Sequence, residues 1–265
     1  MPSKITFRRS LLLSILLFSL CPTLLFAGQL PEDFEATYTI RKAGINLAKV
    51  VITFKREGNH YRYKKYTRTK GVLSLFRKDK ITEISTGAIE NNQIHPSQYD
   101  YRHQRGKKLR ESRFTLDKKG TAIGKHKSKT FNIPVPDNVL DRASVELALM
   151  RDAGTKNKIL EYPVVDHGKL FTQRFEPKGK KRVSLPSHGA MECQVYQVAR
   201  TSKKRSTELC VAAELGFLPI QAIHNEKGTT VEMLLLKFES TRHSLQKKPP
   251  QQDLNELLSA NQRKD

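Results

Sequence analysis

The chain has no tryptophan, only 3 cysteines, and 26 acidic residues against 48 lysines and arginines. Each shortage excludes something. Without tryptophan, a sugar-binding cleft floored by large stacked rings is disfavoured. Three cysteines are too few for a disulfide-built miniature domain or a multi-cysteine zinc module. The 8 histidines (His60, His95, His103, His126, His167, His188, His224 and His243) stand singly. None has a carboxylate at helical ligand spacing, so no metal site is expected. Asp100 and His103 are the nearest acid–base pair, but three residues apart on a strand they point to opposite faces. There is no Gly-x-Ser-x-Gly elbow, no phosphate-binding glycine loop and no carboxylate pair in a catalytic context. A non-enzymatic protein without cofactor is expected, with an enzyme whose type leaves no motif as the alternative.

Long apolar runs are also scarce, and the longest lies at the start. Residues 1–27 have the three parts of a secretory signal peptide. Lys4, Arg8 and Arg9 precede an apolar stretch over 11–20, and Ala27 stands before Gly28 at the expected cut. The stretch is short for a bilayer and is followed by Pro22, so cleavage is expected over an uncleaved anchor. Leu20 before Cys21 is not the small residue that a lipid-attachment site needs. The expected location is the periplasm, with no transmembrane segment after signal removal. The three cations leave with the signal, and a net charge of +22 becomes +19. For an exported chain such charge points away from nucleic acid. It points towards anionic lipid, lipopolysaccharide or acidic polysaccharide, or to a basic surface that water alone solvates.

What the chain has in abundance is two-residue alternation. Phe34, Ala36, Tyr38 and Ile40 alternate with polar neighbours, as do Ala48, Val50, Ile52 and Phe54. Ala43-Gly44 and Glu57-Gly58-Asn59 are turns. The third strand puts His60, Arg62, Lys64, Tyr66 and Arg68 on one face and Tyr61, Tyr63, Lys65 and Thr67 on the other. Its neighbour adds Lys49 and Lys55 and no acid. Arg62, Lys64 and Arg68 are therefore a candidate anion-binding row beside Tyr66, against the alternative of a solvated face. Strands over 80–89, 94–103 and 109–116 extend the meander. Three short strands are expected over 159–165, 170–175 and 181–185. Gly71 to Phe76 reads as a helical turn or a plug.

Residues 191–240 read as four strands in two hairpins, the first across the charged loop 201–205. Met233-Leu234-Leu235-Leu236 is apolar on both sides and predicts a strand covered on both faces. Cys193 and Cys210, an even pair in an oxidising compartment, are expected to form one disulfide. Two registers compete. One sets Cys193 directly opposite Cys210; the other sets Val195 opposite Leu209 and sends the sulfurs to opposite faces. One helix is expected over 137–151, with Leu140, Ala143, Leu147 and Met150 on one face and Asp137 or Asp141 as cap. The tail 241–265 is polar, with Leu254, Leu257 and Leu258 on one side of a short helical stretch over 253–261.

The turn Leu185-Pro186-Ser187-His188-Gly189, the strands over 193–200 and 206–209, the corner Leu215-Gly216-Phe217-Leu218-Pro219-Ile220 and the helix start Asp141-Arg142-Ala143-Ser144 resemble one bacterial family. It is the domain of unknown function 3108 family, and the resemblance runs from about Phe34 to Phe238. It implies an exported protein built as an antiparallel half-barrel around a helix, and no known activity. The expected architecture is all-β: a half-barrel or meander over 28–240, closed around a single α-helix. A curved sheet with one apolar face can take in an acyl chain. Binding or transport of an amphipathic envelope molecule is thus the first expectation. A structural or assembly role with another envelope protein is the second.

Overall fold

Alternation and tight turns build a continuous meander in the computed structural model, which describes residues 28–71, 74, 78–117, 119–155, 158–199 and 205–241. The strands are β1 (Phe34–Lys42), β2 (Ile45–Glu57), β3 (His60–Thr69), β4 (Asp79–Glu90), β5 (Gln93–Arg105), β6 (Lys108–Asp117), β7 (Thr121–His126) and β8 (Lys129–Pro134). After the helix region come β10 (Leu160–Asp166), β11 (Lys169–Leu185), β12 (Gly189–Val198), β13 (Arg205–Ala212), β14 (Leu218–Glu226) and β15 (Thr229–Ser240). A two-residue β9 (Leu140–Asp141) precedes the helix α1 (Ser144–Asp152), and a single 3-10 turn over Ala213–Leu215 precedes β14.

All fifteen strands form one sheet, ordered β8-β7-β6-β5-β4-β3-β2-β1-β15-β14-β13-β12-β11-β10-β9. Neighbours are antiparallel except β9, which runs parallel to β10. The first and last strands of the meander, β1 and β15, pair at its centre. The sheet curls around α1 but is not closed into a barrel, since β8 and β9 remain as edges. Side chains pack where a closed barrel would have hydrogen bonds. The rings of His126 (β7) and His167 (the β10–β11 turn) lie 4.1 Å apart. Gly168 abuts Phe131 of β8 so closely that a Cβ there would fall 2.8 Å from the ring. Its φ of 75° is also one that side chains resist.

Three local expectations need correction. The helix begins only at Ser144, because Leu140–Asp141 is drawn into register with Val164 and Val165 instead. The segments over 170–175 and 181–185 are one long strand, β11, that bends at a register shift between Pro177 and Lys180. The β12–β13 hairpin adopts neither expected register. Val195 faces Cys210 and Tyr196 faces Leu209. Cys193 and Cys210 are then diagonal neighbours on one face, Cα atoms 5.4 Å apart, and they are bonded. The signal segment 1–27, residues 200–204 of the charged loop, most of 71–76 and the tail beyond Thr241 lie outside the described residues. No helix among the described residues is long and apolar enough to cross a membrane.

The helix is buried on nearly every side: Ser144, Val145, Leu147, Ala148, Leu149 and Met150 are all inaccessible. An α-helix apolar on one stripe covers one surface; one buried all round fills the middle of a shell. Glu146 in its first turn and Arg151 in its last match the helix dipole.

Candidate functional site

The concave face of the first half of the sheet is polar where a core is normally apolar. In β3 it presents Tyr61, Tyr63 and Lys65, in β4 Glu83 and Ser85, and in β5 Tyr99 and Tyr101, as the pairing of Tyr63 with Ser85 and of Lys65 with Glu83 requires. Ser85 and Asp141 are 0% exposed and Glu83 is 3% exposed. Buried polar groups on this scale must be satisfied by one another.

They are satisfied largely by the entry to α1. Asp141 Oδ1 accepts from the backbone N–H of Ala143 and Ser144, each at 2.8 Å, which caps the helix from outside it. Its Oδ2 accepts from Ser85 Oγ at 2.5 Å, and Ser85 Oγ lies 2.8 Å from the Tyr61 hydroxyl. Burial pushes the Asp141 carboxyl up to about 6. Tyr99 donates to Glu83 at 2.5 Å, and burial followed by the Glu83 charge drives its phenol well above the ordinary range. Arg142 Nε is 3.5 Å from Glu83 and its Nη1 4.0 Å from Asp166. The same guanidinium lies 5.8 Å from the Tyr101 ring centre. Glu146 accepts from Tyr63 at 2.6 Å and pairs with Lys65. Ser85 and Asp141 are sealed from solvent, and this Ser–Asp–Tyr chain clasps β3 and β4 to the entry of the helix.

Beside the clasp lies a cavity of about 350 Å³ between α1 and the sheet. Its lining mixes polar side chains, Tyr38, Tyr63, Arg142, Glu146, Asp166 and Gln173, with apolar ones that include Leu149, Phe175, Val198, Leu209, Leu218 and Met233. Among the described residues, the fully buried Tyr38 hydroxyl has no hydrogen-bond partner, and Asp166 Oδ1 has none either. An unsatisfied buried hydroxyl destabilises a fold by roughly 1–3 kcal/mol.

Arg62, Lys64 and Arg68 are not part of this site. They lie exposed on the convex face of β3, opposite Tyr61, Tyr63 and Lys65. Their cross-strand neighbours are Lys55, Thr53 and Lys49 in β2 and Thr86, Ile84 and Lys80 in β4, without an acid. Asp100 and His103 separate as the alternation demands: Asp100 pairs with Arg113 on the convex side and His103 turns inward to Asp79. Gly28, the residue after the expected cut, donates its N–H to the carbonyl of Arg151 at 3.0 Å. Ala27 lies outside the described residues. The clasp itself escapes the sequence reading. Its signal was a polar residue at alternate positions of β4, Glu83 and Ser85, while the partner of Ser85, Asp141, stands 56 residues further on.

Among solved structures, the chain is similar to a β-barrel-like protein of the domain of unknown function 1849 from Brucella abortus. Their identity is 10% and the TM-score 0.51, with 81% of this chain and 99% of that one covered. It is also similar to a domain of unknown function 1089 family protein from Pseudomonas aeruginosa, at 9% identity, TM-score 0.37, and 64% and 87% coverage. The first likeness concerns the fold alone. No curated protein matches the chain. The model of the family described as protein of unknown function (DUF3108) matches residues 33–234. The shell up to the first half of β15, the helix entry at Asp141 and the corner before β14 fall inside that match, and the chain belongs to the DUF3108 family.

Proposed function

We propose that the protein binds an amphipathic small molecule in the concave cavity, its apolar part against Leu149, Phe175, Val198, Leu209 and Met233 and its polar end near Tyr38 and Asp166. The observation that carries this reading is a single cavity lined by both apolar and polar side chains, two of whose polar atoms, Tyr38 Oη and Asp166 Oδ1, have no hydrogen-bond partner among the described residues. Pockets of this size with a few placed polar groups are the usual form of a small-molecule site. Among the envelope molecules expected from the sequence, an anionic lipid or lipopolysaccharide has the acyl chain that the apolar lining suits. An acidic polysaccharide has none. The reading includes export: cleavage after Ala27 would leave an α-amino group at Gly28. Its positive charge would sit beside the last carbonyls of α1, where the helix dipole favours it.

Native mass spectrometry of the protein from its own envelope should show a chain beginning at Gly28 that carries a non-covalent adduct. Leu209→Trp tests the site. It fills the cavity and introduces the chain's first tryptophan, a unique fluorophore. The wild type should bind a fluorescent fatty acid and the variant should lose that binding while keeping its circular dichroism. Undiminished binding by a folded variant would remove the cavity from the function.

A further inference from the structure

A second cleft lies at the turn end of the β5–β6 hairpin, about 550 Å³ in volume and lined by His103, Arg105, Lys107, Lys108 and Arg110. Every lining residue is basic. Arg105 pairs with Lys108 and His103 with Arg110, two residues from Tyr101 along the concave face. Gly106 at φ 57° allows the tight turn that brings the two strand ends together. Directly opposite residues on antiparallel strands have Cβ atoms about 5 Å apart, a spacing at which like charges repel. The acid at hand is Asp79, 3.9 Å from His103 and 3.9 Å from Arg105. Among the described residues, Lys107, Lys108 and Arg110 have no ion-pair partner, and His103 Nε2 is buried without a hydrogen bond.

We propose that this cleft binds a phosphoryl oxyanion. A group with several oxygens and more than one negative charge would answer several of these cations at once. The planar guanidinium groups of Arg105 and Arg110 can each donate two parallel hydrogen bonds to it. The site stands on residues separate from the amphipathic cavity, yet the two adjoin. Arg142, which lines the cavity, and Arg110, which lines the cleft, both act on Tyr101. A phosphoryl group in the cleft could therefore be a free phosphate ester or the headgroup of a lipid.

The probes are inorganic pyrophosphate, titrated calorimetrically into the full chain at matched ionic strength, and vesicles of phosphatidylglycerol or of phosphatidylcholine. Pyrophosphate should bind saturably and weaken as salt rises. Arg105→Gln with Arg110→Gln should weaken it by about tenfold or more. Lys107→Gln with Lys108→Gln, confined to the exposed turn, should weaken it less and guards against misfolding of the first variant. Arg62→Gln with Lys64→Gln on the convex face should leave it unchanged. Cleft-dependent binding to phosphatidylglycerol as well assigns the headgroup as source; pyrophosphate binding alone assigns a soluble phosphoryl compound. Absence of saturable pyrophosphate binding, or an equal loss in the convex-face variant, overturns the site.

Discussion

The two halves of the sheet are built from the same alternation and end in opposite designs. Strands β3–β5 keep one face in water and turn tyrosine, glutamate, serine and lysine inward, where Asp141, Arg142 and Glu146 meet them. Strands β11–β15 bury apolar residues on both faces: Phe175, Val198 and Leu235 on the concave side, and Val183, Met191, Cys193, Val195, Cys210 and Leu234 on the other. In the first half the helix is held by several directional bonds; in the second it is held mainly by area, with the Tyr196 hydroxyl donating to the Ala153 carbonyl at its end at 3.0 Å. The cavity between them is lined from both halves, by Tyr38 and Tyr63 on one and by Phe175, Val198, Leu209 and Met233 on the other.

The sharpest way to break this contrast is at Asp141. Asp141→Ala leaves two buried N–H groups and a serine hydroxyl without their acceptor, and should lower unfolding stability by about 3–5 kcal/mol in urea. Asp141→Asn keeps the acceptor for both N–H groups. Its amide donates to Ser85, whose own proton can turn to Tyr61. The pH dependence separates the two carboxyl effects. Burial holds Asp141 at about 6 in the folded protein, against about 3.9 unfolded. Between those values the folded chain retains a proton that the unfolded chain has lost. Stability therefore falls as pH rises from about 4 to about 6, by roughly 3 kcal/mol if the full difference is realised. The asparagine variant should flatten that slope. An unchanged slope would show that another group carries it.

The apolar half has its own fastening. Cys193 and Cys210 close a loop with a sequence separation of 17. Replacing both with serine should lower stability by about 2–4 kcal/mol, the chain-entropy range for such a loop. If the half held by area is sufficient by itself, the measured loss will be near zero.

The sequence carried the second half better than the first. Four apolar residues in succession at Met233 to Leu236 announce a strand covered twice, and Leu234 and Leu235 are both buried. The hairpin register was not legible, since Val195 could match Leu209 as readily as Cys210; packing on both faces, not one apolar match, decided it. In the first half, the division of β3 into a cationic and a tyrosine face could be read, because a strand has only two sides. Its consequence could not. That Tyr63 meets Glu146, or that Asp141 leaves the helix to clasp Ser85, depends on where α1 docks. The early helix start was predicted for the same reason: Leu140 fits the helical stripe as well as it fits β9.

A smaller effect sharpens the boundary between the halves. Tyr38→Phe removes the buried hydroxyl that has no partner and leaves the ring in place. In the free protein it should raise stability by up to about 1 kcal/mol, because the desolvated hydroxyl is no longer there. The same variant should bind the amphipathic ligand more weakly. A stability loss instead would mean that the hydroxyl is already satisfied, by water within the cavity.

The smallest expected effect lies on the outside of the polar half. Arg68 stands between Lys49 and Lys80, and Arg62 beside Lys55, on strands spaced about 4.8 Å apart. Lys55 has Asp33 at 3.6 Å; the others face no acid. Exposed cations at this spacing repel weakly, since water and salt screen them within about 10 Å at 0.1 M. Replacing Arg62, Lys64 and Arg68 with glutamate converts repulsion into attraction with Lys49, Lys55 and Lys80. The change in stability should therefore be small and favourable, a few tenths of a kcal/mol at low salt and less at high salt. Vesicle binding decides whether the row does more. If the row meets lipid phosphate, the triple variant should bind phosphatidylglycerol vesicles less well than the wild type at physiological salt. Equal binding there, with a difference only at low salt, would assign the row to solvent and leave the anion chemistry to the cleft at Arg105 and Arg110.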